Sequence, residues 1–115
     1  MKDGRVFLQH SRDAIEKIEA YTAVGRDTFM AASHWQDAVI RQLEIVGEAT
    51  KRLSTRFRSR YPNVPWRRIA GLRDVLIHDY MGVDLDAVWT VTQTGIPELK
   101  AQVVSILQEL GEEQQ

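Results

Sequence analysis

The sequence contains no cysteine, only three prolines and seven glycines, and no long apolar run. Without cysteine there is no disulfide and no zinc or iron–sulfur site built on thiolates. Few prolines and glycines beside 43% apolar residues are typical of a folded globular chain, not of a disordered or fibrous one. No stretch approaches the ~20 apolar residues of a membrane span, and the N-terminus MKDGRVFLQH has no apolar stretch of signal-peptide length. We therefore expect one soluble, cytoplasmic domain over residues 1–115, with no membrane partner.

Acidic residues are missing from one segment, residues 50–73. The segment carries a charge of +8, whereas the other residues sum to −9, since seven of them are basic and sixteen are acidic. Such a one-sided block favours a polyanionic partner, either nucleic acid or nucleotide phosphate. The alternative, neutralisation by carboxylates from other helices, is equally open at this point. The cations are Lys51, Arg52, Arg56, Arg58, Arg60, Arg67, Arg68 and Arg73.

The spacing of apolar residues predicts helices throughout. A first amphipathic helix covers about residues 4–24 and is closed by Gly25. A second follows a capping box formed by Ser33 and Gln36, and carries an apolar stripe that ends at Leu53. Residues 57–65 are expected to end this helix and to form the one substantial loop.

The C-terminal half continues the same pattern. A third helix runs from Trp66 to about residue 78, and Asp84 is a plausible N-cap for a fourth helix. The fourth helix has apolar residues at alternating spacings of four and three over residues 85–110, and Pro97 should kink it. These elements predict an all-α fold, an antiparallel four-helix bundle. Trp35, Trp66 and Trp89 are expected to anchor its core. Some apolar residues remain beyond those assigned to the core, and we expect them to form a dimer interface: Leu76, Ile77, Met81, Val88 and Val104.

The stretch RDVLIHDY, residues 73–80, holds the side chains that could carry chemistry. A histidine that titrates near neutrality, here His78, can take a proton from a ribose hydroxyl or give one to a leaving oxygen. An arginine, here Arg73, supplies a permanent charge for a phosphate. Metal-free RNA cleavage needs both an acid and a base, so one chain offers half of such a site and a symmetric dimer offers two halves. His10 and His34 have no ligand spacing with His78, which argues against a metal site. On the residues alone, a purely structural helix end remains an open alternative.

A larger pattern surrounds this stretch. The run YPNVPWRRIAGLRDVLIHDYMGVDLDAVW (residues 61–89), preceded by RQLEIVGEATKRLS (residues 41–54), resembles the HepT-like family of the HEPN superfamily. The resemblance covers nearly the whole chain. Its motif is an arginine, a polar residue, three further residues, then histidine-x-tyrosine, and here Arg73, Asp74, His78 and Tyr80 fill those positions.

The resemblance implies a toxin of a type II- or type VII-like toxin–antitoxin module, with an α-helical bundle that forms a homodimer. It implies a metal-independent endoribonuclease in which Arg73 and His78 of both chains face a shared cleft, with Asp74 in support. It also implies a nucleotidyltransferase antitoxin of the MNT type as partner, which transfers AMP to Tyr80. ATP and magnesium would belong to that partner, and this chain would need no cofactor. RNA-binding residues expected from the basic segment are Arg56, Arg58, Arg60, Arg67 and Arg68.

Two other functions remain open. The chain could be a non-enzymatic helical subunit that binds substrate for a two-component nucleotidyltransferase through the same basic cleft. It could also be a structural dimerisation module. The basic segment favours the first two functions over the third, and the Arg73/His78 pair favours the ribonuclease over the subunit.

Overall fold

A computed structural model describes residues 4–72 and 84–111 of the chain. The described residues form helices joined by short connections and contain no strand. This confirms the predicted all-α bundle. The helices are α1 (Arg5–Thr22), α2 (Arg26–Ala31), α3 (Ser33–Lys51), α4 (Thr55–Ser59), α5 (Trp66–Ala70), α6 (Leu85–Gln93) and α7 (Gly95–Glu109).

The centre of the bundle is the long pair α1 and α3, which pack most extensively on each other. Helix α1 also contacts α7, and α3 also contacts α5. Each member of the pair buries a stripe at helical spacing because only one face of it meets neighbours. The stripe of α1 comprises Leu8, Ser11, Ala14, Ile15 and Ile18. That of α3 includes Val39, Gln42, Leu43, Val46 and Ala49.

Gly4 begins α1 in a buried position with φ of 88°. A Cβ built at Gly4 would lie 2.9 Å from Cδ2 of Leu53 and 3.0 Å from the ring of Phe57. The positive φ and this close approach both favour glycine. The start of α1 therefore lies directly against the basic segment, at the turn into α4.

The last helix is divided, as the predicted kink requires. Asp84 caps α6 by accepting a hydrogen bond from the backbone N–H of Ala87 at 3.1 Å, which confirms its predicted role. Thr94, with φ −122° and ψ −66°, separates α6 from α7. The break comes three residues before Pro97, which lies in the first turn of α7 where its missing N–H costs little.

Several predictions about local structure were wrong. The N-cap of α3 is Ala32, and no side chain caps it. The amide of Gln36 instead donates to the carbonyl oxygens of Phe29 and Met30, at 3.0 and 3.1 Å, so there is no capping box. Helix α3 ends at Lys51, before the predicted loop.

The segment that follows is also more helical than predicted. Part of it forms the short helix α4, whose N-cap Ser54 accepts from the N–H of Phe57 at 3.0 Å.

Among the residues predicted to form a dimer interface, Val88 instead belongs to the buried core at 5% exposure, because α6 turns it toward the bundle. Trp66 is buried as predicted, and Trp35 and Trp89 pack partly buried against the core.

Two further expectations concern residues that the structure does not describe. The third helix is observed from Trp66 to Ala70 with Gly71 as its C-cap, and residues 73–78 of the predicted helix lie outside the described residues. Three residues of the predicted dimer interface also lie outside the described residues: Leu76, Ile77 and Met81. In the described part of the chain, no helix is long and apolar enough to cross a membrane.

Candidate nucleic-acid interface

The described part of the basic segment, residues 50–72, forms a corner made of the end of α3, α4, the connection to α5 and α5 itself. Trp66 holds this corner together, because its indole Nε1–H donates to the carbonyl oxygens of Arg58 at 3.1 Å and Tyr61 at 2.9 Å. The hydroxyl of Tyr61 donates to Oε2 of Glu109 at 2.6 Å, which fastens the connection to α7. These contacts join α5 to α4 and to the connection between them, and join that connection to α7.

Most of the arginines in this corner lie on its surface. The side chains of Arg56, Arg60, Arg67 and Arg68 are exposed. Arg58 is half-buried, and its Nη2 donates to the carbonyl oxygen of Thr50 at 3.0 Å. The guanidinium carbon of Arg60 lies 6.0 Å from the ring centre of Tyr61, at the outer limit of a cation–π contact.

Carboxylates do not neutralise the described arginines of this segment. Elsewhere in residues 4–72 and 84–111, ion pairs join Arg12 to Asp13, Arg26 to Asp86, and Lys100 to Glu19. No described arginine between Thr50 and Leu72 forms an ion pair. Neutralisation by ion pairing, the alternative left open by the sequence, is therefore not observed for Arg52, Arg56, Arg58, Arg60, Arg67 and Arg68.

Two of the five arginines predicted to bind RNA share one surface groove. Arg58 and Arg67 line a shallow, mainly apolar depression of about 480 Å³ between α4 and α5, together with Thr55, Ser59, Val64, Pro65 and Trp66. Arginine guanidinium groups and hydroxyls are the usual partners of phosphate oxygens. This arrangement fits the sugar–phosphate backbone of a nucleic acid.

The other three predicted arginines do not join that groove. Arg60 lines a separate hollow beside α7, with Tyr61 and Asn63. Arg68 lines a third, mainly apolar cavity of about 260 Å³ that reaches the break between α6 and α7. Arg56 is exposed and lines none of the described cavities. The cations thus spread over several sides of the corner.

The predicted catalytic and modification residues, Arg73, Asp74, His78 and Tyr80, lie outside the described residues. The basic corner leads directly to them in the chain, because Leu72 is the last described residue before Arg73 and follows α5. The cations of α5 are therefore at most a few residues from the motif in the chain.

One charged groove was not predicted from the sequence. It lies between α1 and α3, has a volume of about 370 Å³, and is lined mainly by charged residues. Among the described residues, no group of three histidine, aspartate or glutamate side chains is arranged to hold a metal ion. Its lining comprises Phe7, His10, Arg41, Glu44, Ile45, Glu48, Ala49 and Arg52.

Comparison with known proteins finds a matching family and several relatives of this chain. Residues 11–106 match the family model described as ribonuclease HepT-like. A protein from Caldanaerobacter subterraneus subsp. tengcongensis, named "Putative RNase TTE0752", is 41% identical over 109 residues, which is 94% of this chain and 97% of that protein. The "Probable ribonuclease HepT" of Thermococcus cleftensis is 41% identical over 97 residues, covering 84% of this chain and 88% of the relative.

A longer relative also matches. A Methanocaldococcus jannaschii protein, named "Gamma-glutamylcyclotransferase and putative RNase MJ0434", is 44% identical over 110 residues, or 95% of this chain. The chain spans only 50% of that relative's length. No solved structure matches the chain.

Proposed function

The chain belongs to the HepT-like family of ribonucleases, and we propose that it is a metal-independent endoribonuclease that acts as the toxin of a toxin–antitoxin module. The observation that carries the proposal, beside the family, is the basic corner. Six described arginines lie there without an ion pair, in a chain whose net charge is −1. A surface whose arginines form no ion pair is suited to a polyanion such as RNA.

The chemistry is assigned to Arg73 and His78. His78 takes the proton from a ribose 2′-hydroxyl, whose oxygen attacks the neighbouring phosphorus while the bond to the 5′-oxygen breaks. The leaving oxygen receives a proton, and the products are a 2′,3′-cyclic phosphate and a 5′-hydroxyl. Arg73 stabilises the charge that builds on the phosphate oxygens, and Asp74 supports the pair.

One histidine cannot be both acid and base in a single step. A homodimer in which the two motifs share a cleft supplies a second His78, so that one protonated and one neutral imidazole are present together. We therefore propose that the active species is a dimer. This requirement follows from the chemistry and from the single motif per chain.

RNA is proposed to reach this cleft along the basic corner. Arg58 and Arg67, with the hydroxyls of Thr55 and Ser59, bind backbone phosphates in the groove between α4 and α5. Arg56, Arg60 and Arg68 extend the positive surface on either side. Contacts of this kind hold RNA without selecting a sequence, because they address phosphates and not base edges.

The proposed partner is a nucleotidyltransferase antitoxin of the MNT type. It would transfer AMP from ATP to the hydroxyl of Tyr80, and ATP and magnesium would be bound by the partner. The added adenylyl group would bring bulk and negative charge close to Arg73 and His78, seven and two positions away in the chain, which opposes an anionic substrate.

A defined RNA incubated with purified, unmodified protein in the presence of EDTA tests the proposal. Cleavage under these conditions is expected. A folded, unmodified dimer that leaves the RNA intact would favour the second candidate, a non-enzymatic helical subunit that binds substrate for a nucleotidyltransferase. The same basic corner supports that candidate, so binding alone does not separate the two.

A further inference from the structure

The hollow beside α7 combines an aromatic ring with polar side chains, and it is called the Tyr61 hollow below. Its volume of about 350 Å³ lies within the ~300–1,000 Å³ that is usual for ligand sites. No carboxylate of the described residues lines it. The lining residues that matter for its chemistry are Arg60, Tyr61, Asn63, Val64, Gln102 and Ser105.

The ring of Tyr61 is held in a fixed position at this hollow. Its centre lies 5.3 Å from that of Phe57, and its hydroxyl donates to Oε2 of Glu109 at 2.6 Å. The backbone carbonyl oxygen of Tyr61 accepts from the indole of Trp66 at 2.9 Å. The residue is nevertheless only half-buried. An aromatic ring that is already held in place loses little freedom when a flat ligand group binds to it.

The groups around this ring match those that bind a nucleobase. The flat face of a base stacks on aromatic rings and guanidinium planes, and its edge forms hydrogen bonds with amides and hydroxyls. The guanidinium carbon of Arg60 lies 6.0 Å from the centre of the Tyr61 ring, so both kinds of stacking surface are present. Asn63 is exposed, and its side-chain amide can donate and accept. Nε2 of Gln102 donates to the backbone oxygen of Asn63 at 3.3 Å, which leaves the amide oxygen of Gln102 as an acceptor.

The Tyr61 hollow adjoins the groove between α4 and α5. Val64 lines both of them. The indole of Trp66 binds the carbonyl oxygens of Arg58, which lines the groove, and of Tyr61, which lines the hollow. A strand whose phosphates lie on Arg58 and Arg67 therefore passes beside the hollow. Proteins that bind single strands commonly combine a positively charged groove with an aromatic ring in this way.

We propose that the Tyr61 hollow is a subsite for one nucleobase of the RNA whose phosphates bind in the groove between α4 and α5. The proposal rests on the RNA substrate of the proposed function. It adds a contact to a base, whereas the arginines of the basic corner address phosphates. Stacking of this kind tolerates any base, because every base has a π-face.

Comparison of two strands that differ only in their bases tests the subsite. Both are labelled 2′-O-methyl strands of equal length, one an oligoadenylate and the other lacking every base, and neither has the free 2′-hydroxyl that cleavage needs. Tyr61→Leu should weaken the binding of oligoadenylate at least ~fivefold, the lower end of the range for one stacked base, and leave the binding of the abasic strand unchanged. Tyr61→Phe keeps the ring and loses the bond to Glu109, and it should bind both strands as the wild type does. Fluorescence anisotropy measures the dissociation constants.

A second variant fills the hollow without removing the ring of Tyr61. Ser105 is exposed on α7, and the large side chain of Ser105→Trp should block the hollow and reproduce the selective loss of oligoadenylate binding. Gln108→Trp is the matched control, because Gln108 is exposed on the same helix and lines none of the described cavities. It should bind both strands as the wild type does, and circular dichroism should show that the variants are folded.

Two results overturn the subsite. One is an equal loss of affinity for the two strands in Tyr61→Leu and Ser105→Trp. The other is undiminished binding of oligoadenylate by both folded variants. If Tyr61→Leu does not fold, Ser105→Trp and its control decide the question.

Parallel assays of RNA cleavage in EDTA separate this inference from the proposed function. If the wild type cleaves RNA but the variants do not distinguish the two strands, the subsite is wrong and the ribonuclease proposal stands. If the variants lose oligoadenylate selectively and the wild type leaves RNA intact, the subsite stands and the ribonuclease proposal fails. A wild type that binds neither strand contradicts both.

Discussion

Arg58 donates from Nη2 to the backbone carbonyl oxygen of Thr50 at 3.0 Å. Thr50 is buried in the last turn of α3, where its carbonyl oxygen also accepts from the backbone N–H of Leu53 at 3.1 Å and where the helix dipole favours a cation. The carbonyl oxygen of Arg58 itself accepts from the indole of Trp66. Arg58 therefore joins α3, α4 and α5, which distinguishes it from the exposed arginines that it accompanies in the sequence.

Truncation of Arg58 should cost stability, whereas truncation of Arg67 should not. Arg58→Ala should lower the free energy of unfolding by ~1–2 kcal/mol, because it removes a partly buried hydrogen bond from a charged donor. Arg67→Ala, at an exposed position of the same groove, should stay within ~0.5 kcal/mol of wild type. Urea denaturation of both variants measures the difference. Equal losses would mean that the Thr50 contact contributes nothing.

Arg67 should instead affect RNA binding and its dependence on salt. Removing one phosphate contact by Arg67→Gln should weaken the affinity for single-stranded RNA and reduce the slope of log K against log salt by ~0.7. Lys17→Gln makes the same change of charge on α1 and should leave the slope unaltered. Fluorescence anisotropy at several salt concentrations provides both slopes. An unchanged slope for Arg67→Gln would remove the groove between α4 and α5 from the RNA path.

The pair formed by Lys100 and Glu19 should make stability depend on alkaline pH. The hydrogen bond to the Glu19 carboxylate, 2.9 Å from Nζ, raises the pKa of Lys100 above its ordinary value of 10.5, and the charges of Glu19 and Glu16 add to this. A pKa raised in the folded state stabilises the fold below the unfolded value, and that contribution disappears as pH rises through the folded value.

The corresponding variant is Glu19→Gln. It should be less stable than wild type at pH 8 by a few tenths of a kcal/mol, since both side chains are partly exposed. The two proteins should converge in stability as the pH rises through the raised pKa of Lys100, because the lysine then loses its proton. Thermal unfolding at a series of pH values measures the gap. A gap that stays constant across this range would contradict the assignment.

Tyr80 should be the position that gains AMP. Co-expression with an MNT-type nucleotidyltransferase should add whole AMP units to the intact mass of the wild-type chain, and Tyr80→Phe should prevent this. Tyr21→Phe, at a half-buried position of α1, removes a different hydroxyl and should leave the added mass unchanged. If Tyr80→Phe still gains the mass, another residue is the acceptor.

The elements that were predicted from the sequence depend on residues close together in the chain. Helical periodicity located α1 and the buried stripe of α3, and the cap by Asp84 was predictable because its partner, the N–H of Ala87, is three residues away. The capping box failed because Gln36 has competing partners, the carbonyl oxygens at the end of α2. That short helix has too few residues to show a period.

The candidate site also contains some features that the sequence predicts and others that only the fold creates. The absence of acids over residues 50–73 identified the arginines of the basic corner, and the corner is observed without ion pairs to them. Charge alone did not separate Arg58 from the others, because its partner Thr50 is brought close only by the turn between α3 and α4. The α1–α3 groove was not predicted, because residues of two separate helices line it.

Cleavage of a defined RNA by His78→Ala, with EDTA present, tests the central claim most directly. His34→Ala is the matched control, because His34 is exposed on α3 and its ring lies against Trp35, 5.1 Å between ring centres. The wild type and His34→Ala should leave 2′,3′-cyclic phosphate ends, and His78→Ala should lose at least ~100-fold in rate while it keeps its fold and its affinity for RNA. Undiminished cleavage by His78→Ala would contradict the assignment.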